Sequence, residues 1–105
     1  MTAPLICVES RRYVDPLAVL TAGLDTACGI AAFTLMPAGC DVLTVEFKTN
    51  LLAPARGDRF FFRAYVVKPG RTLTVCEARG FALDGGAETL IATMTGTLMA
   101  MMPRA

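Results

Sequence analysis

Apolar residues run almost without interruption from Pro16 to Pro37, and from residue 41 onward they alternate with polar ones. The first stretch, DPLAVLTAGLDTACGIAAFTLMP, opens with Asp15 as a candidate N-cap and Pro16 at the first helical position, where a missing N–H does no harm. It closes at Pro37-Ala38-Gly39, which a helix does not easily cross. The pattern predicts a helix of about five turns, apolar nearly all round and therefore buried on most sides. Ahead of it, LICVESRRYV at 5–14 has the β-branched and aromatic content of a short strand, with Arg11 and Arg12 at an exposed edge.

After the helix the period becomes two. Over 42–52, Val45, Phe47, Thr49 and Leu51 alternate with Thr44, Glu46, Lys48 and Asn50, which predicts a long strand. Pro54-Ala55-Arg56-Gly57-Asp58 is a turn by composition. A strand follows over 59–67, with Phe60, Phe62, Ala64 and Val66 on one face and Phe61, Arg63, Tyr65 and Val67 on the other, so that both faces read as covered. Lys68-Pro69-Gly70-Arg71 is a tight turn into a strand over 72–83 that carries a face of small residues, Thr72, Thr74, Cys76, Ala78, Gly80 and Ala82. Such a face lets a helix approach closely. Asp84-Gly85-Gly86 is a hairpin signal, and 88–102 is the last strand, with Ala92, Met94, Gly96 and Leu98 opposite Thr93, Thr95 and Thr97. The order β-α-β-β-β-β, joined by short antiparallel connections, implies an α+β fold: one buried helix wrapped by a curved antiparallel sheet of about five strands.

Composition sharpens this picture. The 105 residues suit a single domain over 1–105, and a hydrophobic fraction of 54% with 18% charged residues is high for so small a chain. Such a chain either enters a membrane or covers apolar surface by oligomerising. A spanning helix needs ~20 apolar residues and would here carry a central Asp costing ~3 kcal/mol, so a homodimer or homotetramer is the expectation, with no membrane partner. A net charge of +1 argues against a nucleic-acid surface. No signal peptide is visible, and the four cysteines, Cys7, Cys28, Cys40 and Cys76, lack CxxC spacing. They read as buried apolar thiols in a reducing cytoplasm, not as a metal site or disulfide framework. The chain has no His, which removes Ser-His and Cys-His catalysis and the commonest metal ligand.

One residue departs from the helical pattern. Asp25 is the only charged side chain between Pro16 and Cys40. A carboxylate taken out of water is paired, neutralised or functional, so Asp25 is either the partner of an Arg, a member of a solvent-facing stripe, or a catalytic group.

Four segments in order carry a resemblance: Leu24-Asp25-Thr26-Ala27, the strand from Val45 to Ala55 (VEFKTNLLAPA), the turn Lys68-Pro69-Gly70-Arg71-Thr72-Leu73, and Ala92-Thr93-Met94-Thr95-Gly96-Thr97. Together they resemble the hotdog-fold acyl-CoA thioesterases of the PaaI type over roughly residues 14–100. The resemblance implies a helix wrapped by a sheet, dimers that pair into tetramers, and active sites between subunits. It places the helix acid on Asp25, as nucleophile or as base for a water, and a polar residue of the facing strand on Thr44. Backbone N–H groups at Leu17 and Ala18 would polarise the thioester oxygen, and Arg56, Lys68, Gly70 and Arg71 would receive coenzyme A phosphates. Coenzyme A enters as part of the substrate, and no metal or other cofactor is implied. Where the family carries a His-Gly-Gly motif, this chain has Pro16-Leu17-Ala18. Two other readings stand beside hydrolysis: a hotdog module that binds acyl-CoA without turnover, and a small protein that uses the helix as a membrane anchor.

Overall fold

A computed structural model describes residues 5–9 and 16–102. Asp15, Arg11 and Arg12, and with them the N-cap and the second half of the first strand expected from the sequence, lie outside the described residues. The elements are β1 (Leu5–Glu9), α1 (Pro16–Phe33), β2 (Asp41–Leu51), β3 (Arg59–Lys68), β4 (Leu73–Asp84) and β5 (Ala87–Met101). These strands form one antiparallel sheet in the order β1-β3-β4-β5-β2. The helix packs across its concave face, chiefly on β3, β4 and β5.

The helix stops at Phe33, four residues short of Pro37. The Thr34 hydroxyl donates to the Ala31 carbonyl at 2.7 Å, and Leu35 and Met36 donate to carbonyls three residues back, so the last turn tightens before the proline is reached. Nor is the helix buried all round. Ala18, Ala22, Thr26, Ile30 and Phe33 form an exposed stripe, while Leu20, Leu24, Ala27, Cys28, Ala31 and Ala32 are buried.

The small face of β4 does what its pattern implies from Thr74 on: Thr74, Cys76, Ala78, Gly80 and Ala82 are all buried, whereas Thr72 precedes the strand and is exposed. Phe62 fills the space between α1 and β4. A Cβ at Gly23 would collide with the Phe62 ring, and one at Gly80 would press on the same ring at 3.4 Å, so two glycines frame one aromatic. On β3 only the face with Phe60, Phe62, Ala64 and Val66 is buried; Arg63, Tyr65 and Val67 are exposed, contrary to the two-sided covering the sequence suggests. The outer face of the sheet is open in the single chain because the one helix among the described residues lies on the other side.

The connection at 52–58 is not a hairpin. It carries the chain from β2 at one edge, past the end of β5, where Leu52 and Ala53 donate to the Ile91 carbonyl, and past the end of β4, where Asp58 donates to that of Leu83. The β4–β5 turn is a tight hairpin: Gly85 and Gly86 have φ of 55° and 89°, as a two-residue turn with both central residues left-handed requires.

Candidate active site

The site forms where α1 faces the start of β2. Asp25 is half-buried at the margin of the exposed stripe, and the Thr44 hydroxyl donates to its Oδ1 at 2.8 Å. Thr44 reaches the helix because β2 bulges there. The register with β5 slips between Thr44 and Glu46, leaving Val45 without an opposite residue. Strict alternation groups Thr44 with Glu46, Lys48 and Asn50; the bulge instead turns it inward, onto the face shared with Phe47, Thr49 and Leu51. An extra residue in one strand is invisible to a period-two reading, so alternation puts Thr44 on the outer face, whereas the resemblance sets it on the strand facing Asp25, where the hydrogen bond has it.

Beside Asp25 lies a cavity of about 390 Å³. Helix residues Thr26, Gly29, Ile30 and Phe33, with Thr34 just past the helix end, form one wall, and Val42 and Thr44 of β2 with Leu98 of β5 form the other. Apart from Asp25 and three threonines the lining is apolar. Gly29 and Phe33 fall one and two turns beyond Asp25, so the wall was open to inference from helical spacing once Asp25 was singled out. Val42 and Leu98 required the tertiary fold. The Cys28 thiol sits just behind the site. Burial first, then Cys76 and then the Asp25 charge push its pKa up to about 12, and burial pushes Cys76 up to about 11.

The remaining expected site residues are dispersed. Leu17 and Ala18 lie in the first turn of α1, whose N–H groups have no acceptor within the helix. They are about two turns, or ~11 Å along the axis, from Asp25 in the same chain. Lys68, Gly70 and Arg71 are exposed at the β3–β4 turn. Register puts that turn at the Asp25 end of the sheet, since Thr44 lies opposite Leu98 and Leu98 opposite Thr74. Gly70 has a local reason to be glycine: a Cβ would run into the Leu73 carbonyl oxygen. Arg56 precedes β3, at the other end, roughly 30 Å from Lys68 along the strand. One chain therefore does not gather these groups around Asp25.

A helix cradled in one antiparallel sheet, with a carboxylate opening from the helix into an apolar cavity at an uncovered margin, defines the hotdog class of thioester-handling proteins. The family model of the thioesterase superfamily matches residues 18–89, and the chain belongs to that superfamily. A thioesterase family protein from Silicibacter pomeroyi is 51% identical, with a TM-score of 0.88 over 94% of this chain and 77% of the other. A protein from Bacillus halodurans, solved with CoA, is 21% identical with a TM-score of 0.83 over 95% and 68%. A phenylacetic acid degradation-related protein from Ralstonia eutropha JMP134 is 21% identical with a TM-score of 0.78 over 92% and 75%. At such identity the last two share the fold alone. No curated protein matches the chain. Among the described residues, no helix is long and apolar enough to cross a membrane.

Proposed function

We propose that the protein hydrolyses acyl-CoA thioesters of the PaaI-type class, with Asp25 as general base. The observation that carries this reading is the Asp25 carboxylate, held by Thr44 through Oδ1 and opening onto the apolar cavity. With Oδ1 occupied, Oδ2 is left to accept a proton from water. The water oxygen adds to the thioester carbonyl carbon as Asp25 takes its proton. The C–S bond then breaks, and the proton passes from Asp25 to the leaving sulfur, giving the carboxylic acid and free coenzyme A. In this scheme coenzyme A arrives with the substrate and no resident metal or cofactor takes part.

The site is completed by a second copy. β2 is an edge strand whose outer edge pairs with no strand among the described residues, and Val45, Phe47, Leu51 and Leu52 on or beside it are about half exposed or more, as is Phe33 across the cavity. Pairing β2 with its equivalent about a two-fold axis makes the strands antiparallel and reverses the second helix. The first-turn N–H groups at Leu17 and Ala18 of that helix then face the half of α1 along which the cavity runs, as oxyanion donors. The same reversal brings the Arg56 end of one copy to the Lys68–Arg71 end of the other, a basic set for coenzyme A phosphates. Free thiols at Cys28, Cys40 and Cys76 suit a cytoplasmic location.

Release of coenzyme A thiol from a panel of acyl-CoAs tests the reading. Asp25→Asn, which keeps the shape and removes the base, is expected to lower kcat by ~10²- to 10⁴-fold. Equal rates for wild type and variant would overturn the assignment. The first turn, Pro16-Leu17-Ala18, favours a second reading, binding without turnover, because it lacks the glycines that allow close backbone approach. Tight binding of acyl-CoA with no thiol release is the result that selects it.

A further inference from the structure

We infer that Gly29 is a specificity-determining residue, its missing side chain forming the floor of the acyl groove and admitting an apolar tail longer than acetyl. This rests on the reading of Asp25 as the centre of a thioester site. Glycine is the poorest helix former after proline, so each one inside α1 calls for a reason. Gly23 has one, because Phe62 occupies the place of its Cβ. Gly29 has neither a packing nor a backbone reason. The nearest heavy atom to a Cβ built there is Leu98 Cδ2 at 3.9 Å, an ordinary contact, and Gly29 is absent from the glycines with positive φ among the described residues. A side chain would fit the fold and favour the helix.

What a side chain would take is cavity. Gly29 lines it together with Asp25 one turn earlier and Phe33 one turn later, facing Val42 and Leu98. From Asp25 to Phe33 the groove follows the helix for about 12 Å. An acyl carbonyl held at Asp25 sends its tail over Gly29 toward Phe33. Acetyl stops short of that point, and hexanoyl passes it.

The test compares wild type with Gly29→Ala and Gly29→Leu on acetyl-, butyryl-, hexanoyl- and octanoyl-CoA, with Tm measured on each protein. The ratio of kcat/KM for hexanoyl-CoA to that for acetyl-CoA is expected to fall in the order glycine, alanine, leucine, by about tenfold or more at leucine. Tm of Gly29→Ala is expected to rise by about 4 °C, which separates a filled groove from a damaged fold. An unchanged chain-length ratio in folded Gly29→Leu overturns the inference. If wild type hydrolyses none of the four, the thioesterase reading fails on its own, and calorimetric titration with hexanoyl-CoA decides about Gly29. Weaker binding to Gly29→Leu by about tenfold or more then supports the groove, and equal binding overturns it.

Discussion

Asp25 is legible in the sequence because a lone carboxylate in an apolar helix is an anomaly at the level of composition. Thr44 is legible only through the family resemblance and not through alternation, since its contact with Asp25 depends on the slip at Val45. Their hydrogen bond joins a neutral donor to an anionic acceptor, the stronger class at about 1.5–3 kcal/mol. In the proposed mechanism it holds one carboxylate oxygen so that the other meets water in a fixed direction. Thr44→Val keeps the volume and removes the donor; kcat should fall about tenfold while KM changes little. Thr44→Ser restores the donor and should restore most of kcat. Steady-state kinetics on the same acyl-CoA checks both, and a valine variant with wild-type kcat removes Thr44 from the mechanism.

At the scale of elements, the long strands and the small face of β4 follow from pattern, whereas the early stop of α1 and the two-glycine frame around Phe62 follow from contacts that pattern does not encode. The frame makes a prediction of definite sign. Gly23→Ala gains ~1 kcal/mol of helix propensity, but its methyl meets a ring that is fully buried and backed by Gly80. Overpacking costs ~1–3 kcal/mol, so the net change should be destabilising, seen as a lower urea midpoint with little change in m. The same layer holds Cys28 on α1 and Cys76 on β4. Burial raises both from the ordinary 9.0, to about 12 and about 11, so the folded state keeps thiols neutral that the unfolded chain ionises. Their contribution to stability is therefore full below pH 9 and is lost as pH rises through the folded values. The slope for Cys28 is about 1.4 kcal/mol per pH unit between pH 9 and 12. Urea midpoints measured across that range should fall more steeply for wild type than for Cys28→Ala.

For the whole molecule, the hydrophobic excess leads one to expect a partner, and the strand order supplies the edge on which the proposed dimer is built. The sequence leads one to place β2 beside β3, the next strand in the chain. In the structure β2 pairs with β5 and its other edge pairs with no strand among the described residues, because the 52–58 segment carries the chain across the sheet ends. That edge strand borders the Asp25 cavity, so the proposed dimer ties association and activity to one surface. Phe47 lies on it, on the inner face of β2 and 48% exposed, where a single chain gives it little to pack against. A charge placed there costs the isolated chain little, since the side chain remains in water, yet it brings two like charges together across the proposed two-fold seam. Phe47→Glu should therefore yield a folded monomer by light scattering, with secondary structure by circular dichroism close to wild type. Turnover should fall with the loss of the dimer, although Phe47 is outside the residues that line the cavity. A monomeric variant with full activity would show that one chain supplies the whole site. If the Phe47→Glu variant instead remains an active dimer, the seam lies on another face of the sheet.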